Sequence, residues 1–263
     1  MRIATWNVNS LRTRIDRVEA FLARHEIDVL AIQETKAKVE QLPTMGLESM
    51  GYEVAAAGYS QWNGVAIISR VGLDDVRVGF DEMPGFGDPL TQEARAIGAL
   101  CGGVRIWSLY VPNGRKIDDP HYAYKLDWLA KLRSNAQGWL DEPTALVGDW
   151  NVCPTDADVY EPKDFRGKTH VTDAEREAFA AFKADGYVDM AGPYTPGPGV
   201  YTYWDYFRSR FERNRGLRID FQLGSPSLNA RVTNAWIDVD ERNPTLGEGT
   251  PSDHAPVIVE LAD

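Results

Sequence analysis

Ile3-Ala4-Thr5-Trp6-Asn7 and Asp28-Val29-Leu30-Ala31-Ile32-Gln33-Glu34 are two short apolar runs, each closing on polar side chains. Between them Ile15, Val18, Phe21 and Leu22 recur at the spacing of one helical face. Strand, helix and strand in that order form a crossover unit, which favours a parallel pair. The opening thirty-four residues therefore point to an α/β fold.

Further strands are expected at Val65–Ser69 and Val104–Val111. In the second, nearly every position from Val104 to Tyr110 could pack, as in a strand covered on both faces. Leu126, Leu129 and Leu132 recur along a helix expected from about Tyr122 to Leu140, and Thr144–Gly148 reads as a short strand after it. Thr172-Asp173-Ala174-Glu175 is a capping box, which sets a helix over Asp173–Asp185. Strands return at Leu217–Leu223, Ala230–Val239 and Ala255–Leu261, while Pro193–Gly199 reads as a surface loop. Sheets at the centre with helices outside fit this order. Whether there is one sheet or two stays open.

A chain of 263 residues with 43% hydrophobic content can fill one large core, and no linker or repeat divides it. One domain over residues 1–263 is expected. No apolar run approaches the roughly 20 residues needed to cross a bilayer, so no membrane association is expected. The N-terminus lacks the regions of a signal peptide, which suggests the cytoplasm. Cys101 and Cys153 form no disulfide framework and read as buried thiols. The net charge of −11 argues against adhesion to nucleic acid by charge alone. Carboxylates gathered around a divalent cation would, however, inflate that count.

Polar residues cluster at the strand ends. Asn7 closes the first, Gln33-Glu34-Thr35 the second, and Tyr110-Val111-Pro112-Asn113-Gly114 another. Gly148-Asp149-Trp150-Asn151 follows the long helix, Asp220 lies in Arg218-Ile219-Asp220-Phe221, and Ser252-Asp253-His254 precedes the final strand. Ligands of α/β sheets gather beyond strand termini, so these groups could converge. Carboxylates with asparagine amides make an oxygen-rich site suited to Mg²⁺ or Mn²⁺, with no cysteine–histidine cluster for zinc. Such an ion, with an aspartate or histidine to activate water, suits phosphoester hydrolysis. Taken singly, each group has a blander reading. An aspartate at a strand end is commonly a cap, Asn113-Gly114 is a turn signal, and a lone histidine commonly packs. Gly167-Lys168-Thr169 echoes the end of a P-loop, but Pro162 stands where its first glycine belongs.

Seven stretches together resemble the exonuclease III family of abasic-site endonucleases. They are Ala4-Thr5-Trp6-Asn7-Val8-Asn9-Ser10-Leu11-Arg12, Gln33-Glu34-Thr35-Lys36, Asn63-Gly64-Val65-Ala66-Ile67, Leu109-Tyr110-Val111-Pro112-Asn113-Gly114, Gly148-Asp149-Trp150-Asn151-Val152, Arg215-Gly216-Leu217-Arg218-Ile219-Asp220 and Ser252-Asp253-His254-Ala255-Pro256. They run in family order over nearly the whole chain. Asn, Gln-Glu, Gly-Asp-x-Asn and Ser-Asp-His are shared with the wider endonuclease/exonuclease/phosphatase superfamily.

The resemblance implies a four-layered α/β sandwich with two central mixed β-sheets flanked by helices. It implies a monomeric DNA-repair enzyme using Mg²⁺, with Mn²⁺ as a substitute, on double-stranded DNA with abasic sites or blocked 3′ ends. Glu34 would be the principal metal ligand, with Asn7 and Asp253 close by, and a second metal near Asp149, Asn151 and His254 is an open alternative. Asp149 would deprotonate the attacking water, or assist the leaving group if the metal sits differently. Asn151 would position the nucleophile and Tyr110 would contact the scissile phosphate. His254 would bind a phosphate oxygen while Asp220 holds its imidazole.

Arg115 and Lys116 would occupy a loop inserted into DNA, and Tyr203 and Leu217 would line a pocket for the flipped-out abasic sugar. Tyr201–Arg218 interleaves aromatics with Arg208, Arg210, Arg213, Arg215 and Arg218, a pattern suited to tracking a nucleic-acid backbone. Phe207 and Trp150 depart from the usual residues, and Trp150 is expected to point away from the metal. The rival readings are a phosphoinositide or sphingolipid phosphoesterase and a catalytically inactive DNA-binding scaffold.

Overall fold

The computed structural model describes residues 1–247 and 249–262. In chain order the elements are β1 (Arg2–Asn7), α1 (Leu11–His25), β2 (Val29–Gln33), α2 (Met45–Ser49), β3 (Glu53–Ala57), β4 (Val65–Ser69), β5 (Asp74–Val78) and β6 (Ala96–Cys101). There follow β7 (Val104–Tyr110), α3 (Pro120–Gln137), β8 (Thr144–Asp149), α4 (Asp173–Asp185), β9 (Val188–Asp189), β10 (Asp220–Gly224), α5 (Pro226–Asn229), β11 (Val232–Ile237) and β12 (Val257–Leu261).

The strands form two six-stranded mixed sheets, ordered β11-β12-β1-β2-β4-β3 and β5-β6-β7-β8-β10-β9. The β1–β2 pair is parallel, as the opening segment predicted, and β7–β8, joined by α3, is the second parallel pair. Between the sheets pack Ile3, Val29, Ala31, Ile67, Ile106, Val147 and Val257. Leu22, Phe21 and Val18 of α1 cover the outer face of the first sheet, and Trp128, Phe179 and Phe182 of α3 and α4 that of the second. Helix, sheet, sheet, helix: the four layers expected are present.

Strand parity decides which side chains meet. Successive residues of a strand face opposite sides. In β1, Ile3 faces the inter-sheet core while Ala4 and Trp6 face the helices, so Asn7 falls on the inner side. The same count puts Gln33, Tyr110, Asp149 and Asp220 on inner faces, because Ala31, Ile106 and Val147 are inner and Phe221 and Leu223 are outer. Register then aligns them: Asn7 pairs with Gln33, Tyr110 with Asp149, and Asp149 with Asp220.

Several boundaries differ from those expected. α3 begins at Pro120 because Asp119 caps it, accepting from the His121 amide at 2.8 Å, and proline suits the first helical turn. Its buried stripe includes Lys125, whereas Leu126 is only half-buried. β10 starts at Asp220, since Leu217 forms only isolated bridges to Val159 and Tyr203. β5 had no sequence signal, because all five of its residues are exposed and nothing alternates. Both cysteines are buried thiols.

Candidate active site

Asp149 lies at the centre of the polar end of the inter-sheet seam. Its Oδ2 accepts from Asn7 Nδ2 at 3.0 Å, and the same amide donates to Glu34 Oε1 at 2.9 Å. Asn7 thus joins the two sheets through two carboxylates. Its Oδ1 is turned away, accepting the Asn9 amide at 3.0 Å. On the other side, His254 Nε2 stands 3.9 Å from Asp149 Oδ2, and His254 Nδ1 is 2.9 Å from Asp220 Oδ2. Asn151 closes the group: its backbone amide donates to Asp149 Oδ1 at 3.0 Å, and its side chain to the Val111 carbonyl at 3.0 Å. Glu34 (φ 57) and Asn151 (φ 51) both adopt left-handed backbone, which bends the chain sharply where each strand ends.

The electrostatics follow from burial and crowding. Burial pushes the Asp149 carboxyl up to about 7, with Asp220 and Glu34 adding repulsion against the opposing pull of His254 and Asn7. Burial alone would lower His254, but Asp220, Asp149 and Asp253 together outweigh it and raise the imidazole to about 10. Glu34 is desolvated too, yet the Lys36 ammonium 2.7 Å from Oε2 and the Asn7 amide hold it below the ordinary carboxylate range. Tyr110 is held well above the usual phenol value by burial and by Glu34.

Asp149, Asp220 and His254 offer ligand atoms within 4.8 Å of one another, a cluster that could hold a metal ion. Glu34 lies beyond Asn7, and Asp253 is tied to the group through Asn9, whose Nδ2 donates to Asp253 Oδ1 at 3.1 Å. Carboxylate oxygens crowded together, with one lysine and one imidazolium to offset them, fit a hard divalent cation.

The pattern of the endonuclease/exonuclease/phosphatase family matches residues 4–254. This chain belongs to that family. An exodeoxyribonuclease of Bacillus subtilis is 31% identical over 98% of both chains. Two solved structures each cover 100% of both chains with a TM-score of 0.91: a Neisseria 3′ phosphatase bound to a product DNA hairpin (35% identical) and an AP endonuclease from Archaeoglobus fulgidus (33%).

Around this polar end, Tyr203 lies with its ring 4.9 Å from that of His254, and Leu217 pairs with Tyr203. Arg115 and Lys116 are exposed on the loop after β7. Asn113 and Arg115 border two cavities, one of 660 Å³ with Trp62, Arg95 and Tyr110 and one of 670 Å³ with Lys116, Phe165 and Lys168. The basic stretch before β10 is not one surface. Arg218 turns inward to Asp189 at 2.7 Å, and Arg210 and Arg215 stack over Tyr160, while Trp204 is buried. Trp150 points into the core against Phe179 and Phe182, away from the carboxylates.

Asn113, read from the sequence as a turn residue at a strand end, donates from Nδ2 to Asn151 Oδ1 at 3.2 Å. Three supporting residues escaped the sequence reading. Arg95 stacks over Tyr110 at 4.8 Å, and Arg242 donates to the Ser252 carbonyl at 2.6 Å, fixing the turn before His254. Lys125 is the third. A lysine inside an apolar helical stripe was its only signal in the sequence.

Proposed function

We propose that this chain is a Mg²⁺-dependent DNA phosphodiesterase that cuts on the 5′ side of abasic sites and trims 3′ ends, both as a 3′→5′ exonuclease and by removing blocking groups. The observation that carries this reading is the line Glu34–Asn7–Asp149···His254–Asp220, buried but for Glu34. The relatives' names supply the substrate class.

Glu34, with Asp253 nearby, would hold the ion, and Asn7 sets the spacing between Glu34 and Asp149. Bound there, Mg²⁺ would supply positive charge to the phosphate undergoing attack. Asp149, raised toward neutrality by burial, is poised to take a proton from the attacking water. Asn151 orients that water. His254, kept protonated by Asp220, donates from Nε2 to a phosphate oxygen, and Tyr110 donates its phenolic proton to another.

Arg115 and Lys116 contact DNA phosphates, and Tyr203 and Leu217 border the pocket for the baseless sugar. The site is completed within one chain, which supports a monomer acting as one catalytic domain. Two buried free thiols suit the cytoplasm, and among the described residues no helix is long and apolar enough to cross a membrane.

The test is cleavage of an end-labelled duplex carrying one abasic site, with and without Mg²⁺, assayed beside phosphoinositides. Cutting 5′ to the lesion only with Mg²⁺ supports the reading, and Asp149→Asn should abolish cleavage while leaving duplex binding intact. Retained cleavage by that variant removes Asp149 from the mechanism. Hydrolysis of phosphoinositides with intact DNA overturns the substrate assignment.

A further inference from the structure

The loops that follow β7 and β8 are tied to a single buried ammonium. Lys125 Nζ lies 2.6 Å from the Asn151 carbonyl, 3.3 Å from the Asn113 carbonyl, 3.4 Å from Thr169 Oγ1 and 2.5 Å from Glu175 Oε1. Both charged side chains are 0% exposed. Glu175 is fully engaged: Oε1 also accepts from Thr169 Oγ1 and the His170 amide, and Oε2 from the Thr172 amide and hydroxyl. The capping box of α4 therefore doubles as the seat of a counterion.

Stability alone does not call for this arrangement. A well-packed apolar pair of similar volume commonly serves as well as a buried ion pair. What an apolar pair cannot supply is a cation between two carbonyls on different loops. Asn113 and Asn151 are further joined by their side chains at 3.2 Å, and the Asn151 amide donates to Asp149 Oδ1 at 3.0 Å. Fixing the two peptides thus fixes the carboxylate.

We infer that Lys125, seated on Glu175, is a positioning residue that sets Asn113 and Asn151 and, through the Asn151 peptide, aims Asp149. This rests on the reading of Asp149 as the base. Neither Lys125 nor Glu175 touches the substrate, so the effect should fall on the chemical step and spare binding.

Lys125→Met/Glu175→Gln removes both charges at nearly matched volume. Melting curves, DNA affinity, kcat and KM on the abasic-site duplex are measured for wild type, this pair, Asn151→Ala and the triple variant. The pair is expected to melt below wild type, because the Asn113 and Asn151 carbonyls lose their donor, and, assayed where it is folded, to bind DNA equally with kcat reduced on the order of 10²-fold. Adding the pair to Asn151→Ala should cost less than the two losses combined, because Lys125 also fixes the backbone that carries the Asn151 side chain. A wild-type kcat in the pair, a loss confined to KM, or full additivity with Asn151→Ala overturns the inference. Should the pair melt far below wild type, the same comparison is made at a lower temperature where circular dichroism shows every variant folded, and the split between kcat and KM decides it. A wild-type enzyme that leaves the duplex uncut counts against the proposed function, whereas equal turnover by wild type and variant counts against Lys125.

Discussion

Both oxygens of the Asp220 carboxylate lie within hydrogen-bonding distance of His254 Nδ1, at 3.1 and 2.9 Å, and both residues are buried. The carboxylate fixes the ring's orientation and keeps its charge, leaving Nε2 facing Asp149.

Replacing Asp220 with asparagine retains the shape but removes the charge. Burial then prevails and the imidazole pKa falls from about 10. Turnover should drop on the order of 10²–10³-fold with KM little changed. Steady-state kinetics and NMR titration of the ring check the two halves together; an unshifted His254 with reduced turnover would mean that Asp220 acts by another route.

The Lys36 ammonium 2.7 Å from Glu34 Oε2 marks where positive charge is favoured. Mg²⁺ at a hundredfold excess over its Kd should stabilise the fold by about 2.7 kcal/mol, a rise in Tm of about 5–10 °C. Thermal melts with Mg²⁺ and with a chelator measure this. In Glu34→Gln the Mg²⁺-dependent rise should disappear, and its persistence would place the ion elsewhere.

His121 supplies a pH dependence. Its Nδ1 accepts the Gly114 amide at 3.0 Å, and burial, then Arg95 and Arg115, hold its pKa down to about 4. The unfolded chain protonates at about 6.5 and the folded protein does not. The unfolded state therefore binds more protons between these values, and stability is lost as pH falls from about 6.5 to 4. Urea titrations should show a loss on the order of 2 kcal/mol from His121 across that window, and His121→Gln should make the slope shallower without removing it, because burial also holds His170 down to about 4. An equally steep slope in the variant would assign the protons to another group.

A Cβ at Gly148 would sit 1.9 Å from the Leu109 carbonyl oxygen, so β7 and β8 could not keep their spacing. Gly148→Ala should destabilise by about 3 kcal/mol and displace Asp149, lowering turnover as well. Gly103→Ala, which meets nothing within 4 Å but keeps a positive φ of 80°, should lose about 1 kcal/mol with turnover unchanged. Similar losses for both in denaturant melts would show that backbone strain, not the carbonyl, sets the cost.

Where one element carries its own signal, the sequence was readable. The Thr172–Glu175 box marked α4 to its observed ends, and polar residues flanking apolar strands marked Asn7, Glu34, Asp149 and His254. What escaped depends on a partner supplied from elsewhere. Leu126 looked like the buried residue of α3, yet Lys125 is inside because Glu175 of α4 meets it there. Arg218 looked like part of a basic surface, yet Asp189 draws it inward. Periodicity reports the face of one helix or strand, and says nothing about which charge the neighbouring layer holds opposite it.

Asn7 and Glu34 come from one sheet, Asp149 and Asp220 from the other, and His254 from the turn before the last strand. No contiguous half of the polypeptide carries a working set. On the proposed reading, a chain whose two layers have not yet packed together could not assemble this site. The chemistry would then depend on the seam between the sheets as much as on any side chain.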